Sequence, residues 1–300
     1  MNEKWVHQNE IDREKWDQLV ETTPAPSIFS LSFYLDATAD DWCAFTNDDF
    51  TFAIPVAFTK KIGVLNVYPP FFHRAVSAIG DTDKIDWQLF EKELTSKFKR
   101  GTFHLDSSRL KNIATEQLTF QTINKKIFKL RRSTVKKIKK FEQSQYELKF
   151  TDDSKKLSQL IISILSKKLD FYNTKESENI FKLVKKAESK NHIICLGIYD
   201  DTKLIGGLIA LEYNKTTLYL KGACKEYGMA SGAMYAAINK LIQSSIEKNY
   251  SFDFGGSSVE GVRYFNTRFS AIDNYYYRYS WENGPFWFKL IQFFRKWIKK

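Results

Sequence analysis

"SFDFGGSSVEGVRYFNTRFSA", residues 251–271, decides how the rest of the chain is read. Phe252 and Phe254 alternate with Ser251 and Asp253, the period of a strand with one apolar face. Two of only 13 glycines, Gly255 and Gly256, follow at once. Such a pair permits positive φ and a sharp exit from the strand. Ser257 or Ser258 then stands where an N-cap belongs, ahead of a helix predicted over 259–268 with Glu260 in its first turn. Val262, Phe265 and Phe269 are expected to face inward, and Arg263 and Arg268 outward or toward a ligand. Asp253, at a strand end beside a glycine turn, has two open readings: a general base, or an acceptor for the turn's own N–H groups.

Working outward, residues 231–248 carry Met234, Ile238, Leu241, Ile242 and Ile246 at helical spacing. Before them, HIICLGIYDD, KLIGGLIALEY and TTLYLKGAC read as an antiparallel three-strand meander with short turns. The order strand, strand, strand, helix, strand implies one parallel crossover into 251–254. Between meander and helix, Lys225-x-x-Gly228-x-Ala230 leads into Ser231-Gly232. Small residues before a helix start can expose N–H groups to a phosphate, or can simply cap the helix.

The first half repeats this order coarsely. Residues 3–21 are predicted as an amphipathic helix with Trp5, Trp16, Leu19 and Val20 inward, and Ser30 as the cap of a helix over 31–38. WCAFTN and FTFAIPVAFTKK read as strands around Asn47-Asp48-Asp49, with Pro55 marking an edge or a bulge. Residues 84–99 are helical, and GTFHLDSS and QLTFQTINKK are strands. Ser133 or Thr134 is expected to cap a basic helix that precedes the strand YELKFTD. Helices follow over 154–170 and 175–190. The class is α+β, with mixed, mostly antiparallel sheets flanked by helices.

The run "YSFDFGGSSVEGVRYFNTRFSA" resembles the (F/Y)DFGGS…G…FKxxFGA signature of the Fem-like branch of the GNAT acyltransferase superfamily. The basic segment RRSTVKKIKKFEQSQYELKF resembles that branch's opening of its second domain. Ser270 stands where the signature has Gly, and Lys225 where GNAT pyrophosphate loops have Gln or Arg. The resemblance covers the second half well and the first only loosely. It implies two tandem GNAT-like domains, here 1–125 and 126–284; the residue pattern after them gives an amphipathic helix over 285–300.

It also implies acyl transfer to an amine or hydroxyl of a peptidoglycan or polysaccharide precursor. Acyl-CoA is the expected donor and aminoacyl-tRNA the alternative, and no metal is expected. In that frame Asp253, Ser257 and Tyr264 are the catalytic candidates. Lys225, Gly228, Ala230, Ser231 and Gly232 are candidates for the donor's phosphates. Tyr219, Lys221, Gly255, Gly256, Ser258 and Arg263 are candidates for substrate. A second class stays open: a catalytically inert module that binds an anionic membrane or nucleic acid.

Charge bears on that choice. Net charge is +11, and residues 125–140 hold nine cations and no acid. That stretch suits tRNA, the phosphates of CoA, anionic lipid or a solvated face. GPFWFKLIQFFRKWIKK, residues 284–300, sets aromatics against lysines, as in a helix at a membrane interface or one packed on protein. Cys43, Cys195 and Cys224 form no metal or disulfide spacing. With no apolar leader and no run of ~20 apolar residues, a cytoplasmic protein with peripheral membrane contact is expected. His7, His73, His104 and His192 lie near no nucleophile motif and read as ordinary histidines.

Overall fold

The computed structural model describes residues 3–167, 174–256 and 260–285. The chain divides into two compact units, Met1–Leu118 with Tyr276–Lys300, and Thr119–Tyr275. The domains expected from the sequence, 1–125 and 126–284, divide the chain near the same place, and the compact units also join Tyr276–Lys300 to the first. The predicted helix over 285–300 lies outside the described residues beyond Pro285.

The first unit begins with β1 (Glu3–His7), α1 (Arg13–Thr22) and α2 (Ser32–Thr38). It continues with β2 (Asp41–Asn47), β3 (Phe52–Lys61), β4 (Val64–Val67), β5 (Ile79–Gly80), α3 (Trp87–Lys97) and β6 (Arg100–Leu105). It also takes the start of β7 (Ala114–Ile123) and the end of β13 (Ile272–Glu282). The strand order is β1-β2-β3-β4-β6-β13, with β5 beside β3.

The predicted helix over 3–21 is two elements. Residues 3–7 pair antiparallel with β2, Trp5 opposite Phe45, and the Trp5 ring packs on Phe45 and Phe98. Asp12 starts α1 by accepting the N–H groups of Glu14 and Lys15. The expected Ser30 cap is also replaced: Ser30 ends a 3₁₀ turn, and Leu31 precedes α2 without a side-chain cap. Pro55 faces Ala44 on β2. Its nitrogen shares the alternation of Thr51 and Ala57, whose carbonyls point to the other edge. There it falls in the gap between β5 and β4, where a missing N–H breaks no ladder. Phe90 and Leu94 of α3, with Phe98, press on Phe45, Ile54, Val56, Phe103 and Leu105 to form the core.

The second unit holds α4 (Arg132–Glu142), β8 (Tyr146–Phe150), α5 (Ser154–Leu165), α6 (Thr174–Ser189), β9 (Ile193–Asp200) and β10 (Lys203–Tyr213). After these come β11 (Thr216–Cys224), α7 (Glu226–Ser231), α8 (Ala233–Glu247), β12 (Ser251–Gly256) and α9 (Glu260–Thr267). Its strand order is β8-β9-β10-β11-β12-β7. Both units follow one recipe: an antiparallel meander, a parallel pair reached through a helix, and an antiparallel strand beyond. Ala237, Leu241 and Ile242 of α8 meet Leu208, Phe252 and Phe254 in the second core. Burying each such large side chain contributes about 1.5–3 kcal/mol.

All three cysteines are free and buried. Burial pushes the Cys43 and Cys195 thiols up to about 12 and Cys224 to about 11.

Candidate functional site

In the second unit, β11 and β12 pair only at Thr216–Ser251, Thr217–Phe252 and Leu218–Asp253. Two local features part them. Opposite β10, Ile209 faces Lys221 while Ala210 faces Tyr219, so Leu220 is an extra residue and β11 bulges. On β12, Gly255 takes φ +78, a conformation that glycine adopts without steric cost.

Asp253 is buried, and its Oδ1 accepts the Gly255 N–H at 2.8 Å, which holds that turn. Gly256 is exposed, and Tyr219 and Lys221 are half-buried along the parted edge of β11. Burial lowers the Lys221 pKa, because an ammonium loses hydration there. Tyr264 on α9 is exposed; its hydroxyl accepts from Arg268 Nη2 at 2.9 Å, and the Arg268 guanidinium covers its ring. Arg263 pairs with Asp273. Val262, expected inward, is 42% exposed. Ser257 and Ser258 lie outside the described residues.

The expected phosphate loop is a helix. Glu226–Ser231 form α7, with Lys225 at its N-cap. Gly228 is buried against Cys224 Sγ, and Ser231 Oγ donates to the Gly228 carbonyl. The Ala230 carbonyl accepts from Lys140 Nζ at 2.9 Å. Gly232, φ +94, joins α7 to α8. A β-carbon on Gly232 would lie 2.3 Å from the Lys137 carbonyl oxygen of α4. The start of α8 is thus packed closely on the α4 backbone at Gly232.

The first unit contains a cleft that the sequence reading missed. β4 pairs with β6 at Asn66–Arg100 and Val67–Gly101, and then Tyr68, Pro69 and Pro70 lead the chain away. It rejoins β6 only where Val76 bridges Leu105. The opening has a volume of about 670 Å³, within the range of small-molecule sites. Its floor is a cross-strand face in which Arg100, Thr102 and His104 of β6 oppose Glu282, Ser280 and Arg278 of β13. Period-2 alternation sends Phe103, Leu105 and Tyr279 to the core behind. Arg100 pairs with Glu282 at 3.1 Å and Arg278 with Glu116 at 2.7 Å, which fixes both guanidiniums.

Gly101 is required at the closed end. A β-carbon there would come within 2.7 Å of both the Trp281 ring and Val67 Cβ. Gly101→Ala is therefore expected to cost about 1–3 kcal/mol of overpacking. Urea unfolding checks this; an unchanged midpoint refutes the close packing.

His104 is the distinctive group. Its Nδ1 lies 3.0 Å from the Arg74 carbonyl, which only accepts, so Nδ1 carries the proton. Nε2 is left as a lone-pair acceptor, with Arg278 Nε donating from 3.5 Å. Burial first, and then the Arg278 charge, lower the His104 pKa, which keeps the imidazole neutral. Behind it a small cavity of about 10 Å³ is shared by Tyr68, His73 and His104. His73 is buried, its ring stacked on Phe29 and its nitrogens without hydrogen-bond partners. Among the described residues, no group of three or more His, Cys, Asp or Glu could hold a metal ion.

The only local signal for this cleft was the alternation Arg-x-Thr-x-His in residues 100–104. Its other wall is Arg-x-Ser-x-Glu at 278–282, distant in sequence.

No protein-family profile and no curated protein matches the sequence. Solved structures match over nearly the whole chain. FemX is 10% identical, covering 94% of this chain and 98% of its own, with a TM-score of 0.65. The C-terminal domain of a putative lysylphosphatidylglycerol synthetase from Agrobacterium fabrum is 11% identical, covering 90% and 91%, with a TM-score of 0.62. A tandem GNAT protein from the clavulanic acid biosynthesis pathway is 12% identical, covering 95% and 99%, with a TM-score of 0.51. The helix-connected parallel pair found in each unit, and these likenesses along the chain, give this protein a fold like that of FemX and the tandem GNAT protein, in a two-domain arrangement.

Proposed function

We propose that the chain is a transferase that moves an activated acyl group to an amine or hydroxyl of a cell-envelope precursor. One observation carries this reading: a neutral imidazole, with its proton fixed on Nδ1, presents its basic Nε2, which Arg278 Nε meets at only 3.5 Å, to a 670 Å³ polar cleft at parted strands. The acceptor's O–H or N–H gives its proton to His104 Nε2 as its heteroatom bonds to the acyl carbon. The Arg278 N–H groups and the Thr102 hydroxyl supply donors for the carbonyl oxygen as it gains charge. The leaving group then departs with the proton. Asp253 is read here as the clamp of the Gly255 turn.

The envelope precursor follows from the signature at 251–271 and from a fold likeness that includes a putative lysylphosphatidylglycerol synthetase. The donor is an ester or thioester. Acyl-CoA is the first candidate and aminoacyl-tRNA the second. A second reading puts the transfer at the parted β11 and β12, favoured by the lowered pKa of Lys221.

Thermal shift against acetyl-CoA, longer acyl-CoAs and aminoacylated tRNA separates the donors. A ligand at a hundred times its Kd is expected to stabilise by about 2.7 kcal/mol. His104→Asn and Lys221→Met separate the sites. Loss of transfer in the lysine variant alone would sink the His104 reading.

A further inference from the structure

We infer that α4, with α7 and α9 on its two sides, forms a docking surface for an anionic lipid membrane. This inference stands apart from the proposed transfer. All nine cations of residues 125–140 are exposed, and none pairs with a carboxylate among the described residues. The helix turns Thr134, Ile138 and Phe141 inward, which leaves Arg132, Lys136, Lys139 and Lys140 on its outer side.

The flanking elements are tied to this helix. At its beginning, Arg268 Nη1 donates to Ser133 Oγ, and Thr134 Oγ1 and the Arg131 N–H donate to the Arg268 carbonyl. Toward its end, Lys140 Nζ reaches the Ala230 carbonyl, and the Lys137 carbonyl abuts Gly232. Those neighbours carry apolar side chains into solvent: Tyr227 is 43% and Met229 50% exposed on α7, and Val262 is 42% and Tyr264 58% exposed on α9.

Cations account for attraction to any polyanion, but the apolar members discriminate. Of these four, Tyr227 and Tyr264 carry rings, one face of Tyr264 being covered by Arg268, while Met229 and Val262 offer none to a base, and the outer side of α4 presents no aromatic. A lipid interface buries methionine and valine among acyl chains and places tyrosines at headgroup level, while lysines meet anionic headgroups. Among the described residues no helix is long and apolar enough to cross a membrane, so this contact is one of surface.

The test is co-sedimentation of the full chain with phosphatidylcholine vesicles, with and without phosphatidylglycerol, over a salt series. Binding is expected only with phosphatidylglycerol and is expected to weaken as salt rises. Each surface cation removed should weaken it by about five-fold, so Arg132→Gln, Lys136→Gln and Lys139→Gln together should cost about a hundred-fold. Met229→Ser with Val262→Ser should also weaken vesicle binding, with the circular dichroism spectrum unchanged. Absence of binding to phosphatidylglycerol vesicles overturns the inference. So does binding that both variants leave intact, or binding to bulk tRNA that the charge variant abolishes while vesicles are ignored.

Discussion

His104→Asn is expected to lower the rate of transfer by about 10²–10⁴-fold, the usual contribution of a positioned general base. Asparagine is the informative replacement. Its amide nitrogen stands where Nδ1 stood and keeps the donor to the Arg74 carbonyl 3.0 Å away. What disappears is the Nε2 lone pair, so loss of rate without loss of melting temperature isolates the chemistry from the packing. The pH profile gives an independent sign. The folded imidazole titrates below its usual 6.5 because it is buried and sits beside Arg278. Wild-type kcat/KM should therefore hold down through pH 6.5 and decline only on the acid side, and the asparagine variant should lack that limb. A variant that retains full activity would remove His104 from the mechanism.

The second large effect concerns stability. Burial drives the His73 pKa from 6.5 down to about 3. The folded protein therefore holds this ring neutral while the unfolded chain protonates it below 6.5. Stability from this group is complete above pH 6.5 and is lost as pH falls toward 3, at about 1.4 kcal/mol per unit. Over the whole window that approaches 5 kcal/mol, a large share of the 5–15 kcal/mol typical of a folded domain. His104 adds a loss of the same sign. His73→Phe preserves a ring against Phe29, removes two buried nitrogens that lack partners, and should flatten the slope between pH 7 and 5. Urea titrations at several pH values decide it; parallel slopes for the two proteins would contradict the assignment.

Much of the topology was legible because it is written locally. The alternation in HIICLGIYDD and KLIGGLIALEY, the helical spacing from Met234 to Ile246 and the return through Phe252 and Phe254 each fix a face without reference to distant residues. The misreadings share one cause. Trp5 looked helical beside Trp16, but its place is set by Phe45 across a strand pair. The small residues at 228–232 read locally as a phosphate loop or a helix cap, and nothing in them announces that the Lys137 carbonyl of another helix meets Gly232. The polar cleft needed two strands far apart in sequence, and neither Arg100-x-Thr102-x-His104 nor Arg278-x-Ser280-x-Glu282 announces its partner. A single sequence carries the period of each strand but not its neighbour.

The three sequestered thiols bear on kinetic order. Burial keeps Cys43, Cys195 and Cys224 out of solvent and raises their pKa values to about 11 to 12, which disfavours the thiolate and makes each a poor covalent carrier of an acyl group. Turnover should survive alkylating reagents for as long as the chain stays folded. Inactivation by iodoacetamide would then time the opening of the interior, not the reaction itself.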